Sequence, residues 1–86
     1  MVGFKVLHDA VCREHIIMKV GNGPASRQPV IEIANLFRAK VVNVAESRLM
    51  LELTGEPEKI DSFIGLLQPY GVKEIVRTGI SALERD

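Results

Sequence analysis

VVNVAESRLMLELTGEPEKIDSFIGLLQPYGV, residues 41 to 72, changes its hydrophobic period halfway along. The first half alternates. Leu49, Leu51 and Leu53 fall on one face of an extended chain, with Met50, Glu52 and Thr54 on the other. In the second half Ile60, Phe63, Ile64 and Leu67 recur at i, i+3, i+4 and i+7, the spacing of one helical face. Ahead of the alternating run, residues 40 to 45 read as another strand. The Ala45-Glu46-Ser47 link between the two strands implies an antiparallel hairpin. Pro57 suits a first helical turn, where its missing N–H costs nothing, and Glu56 and Glu58 lie beside the positive end of the helix dipole. Pro69 stops the helix and Gly71 permits the turn beyond it.

Working outward, VKEIVRTGISAL (72 to 83) reads as a final strand in which Gly79 marks a bulge or a close backbone approach. On the other side, residues 14 to 21 hold the apolar run HIIMKV, ended by the breakers Gly21-Asn22-Gly23-Pro24. Between that run and the hairpin, SRQPVIEIANLFRAK places Val30, Ile33, Ala34 and Phe37 on one helical face, widened by Ile31 and Leu36. Ser26 is the expected N-cap and Pro29 sits in the first turn. Arg38 and Lys40 lie at the C-terminal end, where positive charge suits the dipole. The order strand, helix, strand, strand, helix, strand is the split βαβ arrangement. It predicts an α+β, ferredoxin-like βαββαβ sandwich with one four-stranded antiparallel sheet and both helices on one face. Right-handed crossovers give the strand order 4-1-3-2, with residues 40 to 45 and 72 to 83 on the edges. Leu49, Leu51 and Leu53 then point at the helices, and the face carrying Met50 and Glu52 is left for water or a partner.

Composition narrows the class. Of 86 residues, 47% are hydrophobic and 26% charged, which suits one small globular domain rather than a disordered chain. Eleven basic residues balance eleven acidic ones, so no global field recruits nucleic acid or an anionic membrane. The aromatics are Phe4, Phe37, Phe63 and Tyr70, two of them on helical core stripes, so no strand carries the aromatic set that stacks RNA bases. No uncharged run is long enough to span a bilayer, and Lys5, Asp9, Arg13 and Glu14 interrupt any signal-peptide core. The single Cys12 forms no internal disulfide, and the expected compartment is the cytoplasm (or a plastid, were the source a plant). Residues 1 to 12 lack a period and read as a leader or linker. Zero net charge on a small apolar domain favours self-association, and a homodimer is expected.

The chemistry-bearing stretches are few. TGEPEK offers one glycine, a proline without an N–H and two glutamates that repel anions, with Lys59 the only cation, so it reads as a strand-to-helix corner rather than a phosphate loop. His8, Cys12 and His15 are residue types that ligate zinc, nickel or copper, but no fourth ligand accompanies them and no metal site is assigned. Cys12 with either histidine lacks an orienting third group, so no catalytic residue is assigned. GNGPASRQ is a weak candidate ligand loop, with Gly21, Gly23, Ser26 and Arg27 at a helix start that favours a carboxylate.

The chain resembles the C-terminal domain of the small, regulatory subunit of acetolactate synthase (acetohydroxyacid synthase). The resemblance rests on Arg13-Glu14 leading into IIMKV, on EIANLFRAKVVNVA, and on LELTGEPEKIDSFIGLLQPYGVKEIVRTGISALER, together nearly everything from Arg13 to Arg85. It implies an ACT-like domain over residues 13 to 86 with no catalysis and no cofactor of its own. Thiamine diphosphate, flavin and magnesium are expected only on the catalytic subunit, which condenses 2-keto acids at the start of branched-chain amino acid synthesis. The resemblance further implies binding to that subunit, dimerisation, and a part in activation and feedback control by valine or related end products. The family's N-terminal ACT domain, where the effector site mainly lies, has no counterpart in this sequence, so its effector residues are not carried over. The residues assigned here to a partner interface or regulation are Arg38, at the helix-to-strand junction, and Arg77, Thr78 and Gly79 on the last strand. The alternative is a stand-alone domain sensing a small ligand, an amino acid or a metal.

Overall fold

The hairpin forms where the alternation places it, as β2 (Lys40–Val44) and β3 (Arg48–Gly55), with the Ala45 N–H closing the turn on the Arg48 carbonyl at 2.8 Å. A computed structural model describes residues 10–21 and 23–84. It places β3 beside β1 (Ala10–Gly21) and β1 beside β4 (Val72–Glu84), all antiparallel, in the order β2-β3-β1-β4. That is the expected 4-1-3-2 order read from the other edge. The helices α1 (Arg27–Phe37) and α2 (Pro57–Leu67) supply the two crossovers.

The core lies between the helices and one face of the sheet. Ile16, Met18 and Val20 of β1 and Leu49, Leu51 and Leu53 of β3 meet Val30 and Ala34 of α1 and Ile60, Phe63 and Leu67 of α2. Each large side chain removed from water here contributes about 1.5–3 kcal/mol before entropy is counted. Phe37 and Phe63 join the helices, with ring centroids 5.2 Å apart and planes tilted by 53°. Leu36, expected to widen the α1 stripe, is instead 79% exposed. It lies outside the arc that two packed helices can share.

Local chemistry explains the element ends. Arg38 takes the left-handed conformation, φ 58°, and its N–H and that of Ala39 return to the Asn35 and Ala34 carbonyls. This closes α1 without glycine. Ser26 is the N-cap residue of α1, yet its hydroxyl accepts the Gly23 N–H at 3.1 Å rather than capping the helix. Pro57 opens α2. A 3-10 turn over Gln68–Tyr70 contains Pro69 and ends at Gly71, φ 85°.

β1 begins four residues earlier than the apolar run suggests. The leader or linker expected over residues 1 to 12 falls outside the described residues as far as 9, but Ala10, Val11 and Cys12 are strand. They pair with Glu84, Leu83 and Ala82. Because β3 pairs with β1 only as far as the Glu14–Gly55 step, residues 10–13 and 81–84 form a two-stranded ribbon beyond the four-stranded sheet.

Candidate interaction surface

The residues singled out on the last strand meet at one irregularity. Glu14 faces Ile80 and Ile16 faces Arg77, so the single His15 lies opposite both Thr78 and Gly79. Gly79 has φ 85°, the backbone state that a bulge of this kind requires. The Thr78 hydroxyl replaces the missing ladder partner: the His15 N–H reaches it at 3.3 Å, and it donates to the His15 carbonyl at 3.2 Å.

Arg77 is held beneath the bulge on the helix side. Its Nε donates to Glu14 Oε2 at 2.8 Å, its Nη2 donates to Glu14 Oε1, and Nη2 also reaches Asp61 Oδ1 on α2 at 3.1 Å. One guanidinium thus ties β4, β1 and α2 together. Glu14 is only 5% exposed, and the Arg77 hydrogen bonds hold its carboxyl below the usual value of 4.5 against the opposing effect of burial. The same pairing raises the Arg77 pKa further above its usual value.

Arg38 is exposed and leads into β2, at the opposite edge of the sheet from β4. The glycine loop lies at the far end of β1. There the Gly23 carbonyl accepts the Ser26 and Arg27 N–H groups at 3.1 and 3.0 Å, taking donors an anion would need. Gly21 packs so tightly that a Cβ would sit 2.9 Å from the Tyr70 carbonyl oxygen. An open cleft of about 550 Å³ adjoins the loop, bordered by Gly23, Pro24, Glu46, Arg48 and Lys73.

Cys12 and His15, three residues apart on a strand, point to opposite faces. Cys12 lies beside Glu56 and Pro57 at the start of α2, whereas the His15 Nε2 pairs with Glu52 Oε2 at 3.0 Å on the far side of the sheet. His8 lies outside the described residues. Among the described residues no group of three or more His, Cys, Asp or Glu could hold a metal ion. At TGEPEK the Lys59 stem packs against Gly55, where a Cβ would come within 3.0 Å of it, as befits a corner.

The uncovered sheet face was only half legible in the sequence. Its rows follow from the register: Lys40, Glu52, Ile17 and Val76 in one, Asn43, Met50, Lys19 and Glu74 in the next. Lys19 Nζ meets Glu74 Oε1 at 3.3 Å. Met50 and Glu52 were expected here. Ile17 was not, because the continuous run IIMKV hides which of its members faces outward.

A sequence model described as "Small subunit of acetolactate synthase" matches residues 13–86. The chain belongs to the acetolactate synthase small-subunit family. It is 42% identical over 77 residues to the acetolactate synthase small subunit of Mycolicibacterium smegmatis, covering 90% of this chain and 45% of that one. It is 44% identical over 75 residues to the Bacillus subtilis small subunit, covering 87% and 44%. The crystal structure of the acetolactate synthase small subunit from Thermotoga maritima superposes with a TM-score of 0.84 at 35% identity, covering 90% of this chain and 47% of that one. The chain therefore spans about half the length of these small subunits. Among the described residues no helix is long and apolar enough to cross a membrane.

Proposed function

We propose that this chain is a non-catalytic regulatory domain that binds the catalytic subunit of acetolactate synthase and supports its activation and feedback control in branched-chain amino acid synthesis. The observation that carries the reading is the family match over residues 13–86, which takes in every strand and helix apart from the first residues of β1. The domain works by burying surface: it acts as a homodimer in the cytoplasm, contacts neither nucleic acid nor membrane, and holds no cofactor. Thiamine diphosphate, flavin and magnesium belong to the catalytic partner. Arg38 and the Thr78–Gly79 bulge are the contact points assigned to that partner, and Arg77 fixes the shape of the bulge from below.

The test is to add the purified chain to the catalytic subunit from the same source and to follow acetolactate formation with and without valine, alongside co-migration on a sizing column. Stimulation or restored valine inhibition supports the proposal. Unchanged activity without co-migration removes it for this domain acting alone.

The cleft beside Gly23 favours a second reading. Glu46, Arg48 and Lys73 all border it, and their charges suit the ammonium and carboxylate of a free amino acid. Calorimetry with valine, leucine and isoleucine tests that reading, and no heat from any of the three rejects it.

A further inference from the structure

The helix layer leaves one strand uncovered. The core takes its sheet residues from β1 and β3, while all five residues of β2 are exposed. Val41 and Val44 pair with Leu51 and Leu49, so their side chains share the helix side of the sheet with two buried leucines. Yet Val41 is 42% exposed and Val44 63%, and the extra residue between the Val41 and Asn43 pairs, Val42, is 46% exposed. Three valines thus lie in water along the outer edge of the sheet, on the strand that α1 leads into.

The same edge offers backbone groups. The Ala45 N–H bonds the Arg48 carbonyl, so Val44 and Leu49, the next pair along, exchange no hydrogen bonds. The N–H and C=O of Val44 therefore point out of the sheet. Leu51 lies two residues on from Leu49 and repeats its orientation, which turns the groups of Val41 outward as well. An extended segment laid along β2 finds hydrogen-bond partners at the two positions whose side chains it also covers.

Charge selects the occupant. Residues 38–48 carry three cations, Arg38, Lys40 and Arg48, against one carboxylate, Glu46. The three cations are exposed, and none has a hydrogen-bond or ion-pair partner among the described residues. By contrast Arg13 and Lys19 of β1 and Arg77 of β4 each meet a carboxylate. Two β2 edges brought together would set these cations against their own kind, and a charged, short, bulged edge resists pairing with a copy of itself. An acidic segment meets no such barrier. Lys40 and Arg48 lie on the side of the strand pair opposite to Val41 and Val44, so the complementary segment is acidic on one face and apolar on the other.

We infer that β2 is the docking edge for the catalytic subunit, and that it takes an extended segment of that subunit whose apolar residues cover Val41 and Val44 and whose carboxylates meet Lys40 and Arg48. The inference rests on the regulatory reading above and specifies where that partner binds.

The experiment titrates the catalytic subunit from the same source with this chain and reads the dissociation constant, for the wild type, Val44→Pro, the double variant Lys40→Glu/Arg48→Glu, and Lys59→Glu as a charge-reversal control on α2. Proline at position 44 removes an outward N–H and no ladder bond, which an edge strand tolerates. Circular dichroism melts establish that each variant is folded. Should Val44→Pro fail to fold, the double variant decides, because both of its positions are exposed. The expected result is a dissociation constant raised about tenfold or more by Val44→Pro and by the double variant, and unchanged by Lys59→Glu. Wild-type binding should weaken between about 50 and 300 mM salt, and the double variant should lose that dependence. Folded variants that all bind like the wild type overturn the inference and leave the regulatory reading standing. Weakening by the double variant alone, with Val44→Pro folded and unaffected, overturns the strand pairing, and weakening by Val44→Pro alone overturns the acidic partner. A wild type that does not bind the catalytic subunit removes the regulatory reading and the docking edge together.

Discussion

Arg77 grips the buried carboxylate of Glu14 with two N–H donors across neighbouring strands, and the grip sits directly beneath the bulge at Thr78-Gly79. The sequence separates these residues by 63 positions. An ionised carboxylate that is 5% exposed survives only because this partner is present.

The pair sets an acid limb on stability. Because Arg77 lowers the Glu14 pKa below 4.5, the stabilisation is complete above that value and is lost as pH falls through the lower, folded pKa. Thermal unfolding from pH 7 down to pH 2.5 is expected to show Arg77→Gln well below the wild type at pH 7, with the two curves converging in strong acid. Glu14→Gln should also lower the melting temperature at pH 7 and flatten the acid limb. A deficit in Arg77→Gln that stays constant with pH would assign the side chain a packing role instead of a charge role.

Two glycines should fail for different reasons. At Gly79 a Cβ meets nothing within 4 Å, but φ is 85°, so Gly79→Ala is expected to cost about 1–2 kcal/mol of backbone strain alone. Gly79→Asn should cost less, since asparagine tolerates this region. At Gly21 the limit is space: the Tyr70 carbonyl oxygen would lie 2.9 Å from the new Cβ. Gly21→Asn should therefore be hurt no less than Gly21→Ala, whereas Gly79 should rank Gly, Asn, Ala. Urea unfolding of the four variants separates the two cases.

Phe63 is fully buried and touches Phe37 across the helix pair. Phe63→Ala is expected to destabilise by about 3–5 kcal/mol, and Phe63→Leu by much less, as volume loss dictates. Equal losses in chemical denaturation would mean that the ring geometry outweighs the cavity.

Much of this architecture was legible because local signals agreed with the global one. The hairpin followed from the alternation at Leu49, Leu51 and Leu53, α2 from its apolar stripe and the prolines at 57 and 69, and the bulge from Gly79. What was missed is non-local. Ala10 to Arg13 carry no apolar period, and their strand partners come from the far end of β4, so nothing local marks them as strand. Leu36 looked like core because a helical stripe says which residues share a face but not how wide the contact is. Glu14 gave no hint of burial, since its partner comes from β4. Cys12 and His15 looked close as ligands until strand geometry put them on opposite faces.

Arg38 allows stability to be separated from partner contact. It occupies the left-handed position that ends α1, φ 58°, where glycine is the residue without strain. Arg38→Gly is expected to stabilise the chain by about 0.5–1 kcal/mol, the relief of a non-glycine left-handed residue less the extra freedom of glycine in the unfolded state. The exposed side chain is also one of the contacts assigned to the catalytic subunit. If that assignment holds, Arg38→Gly melts higher and yet loses stimulation of acetolactate formation. Arg38→Lys, which keeps both the backbone strain and a positive charge, should retain part of it. A more stable variant with full stimulation would leave Arg38 as a helix terminator alone.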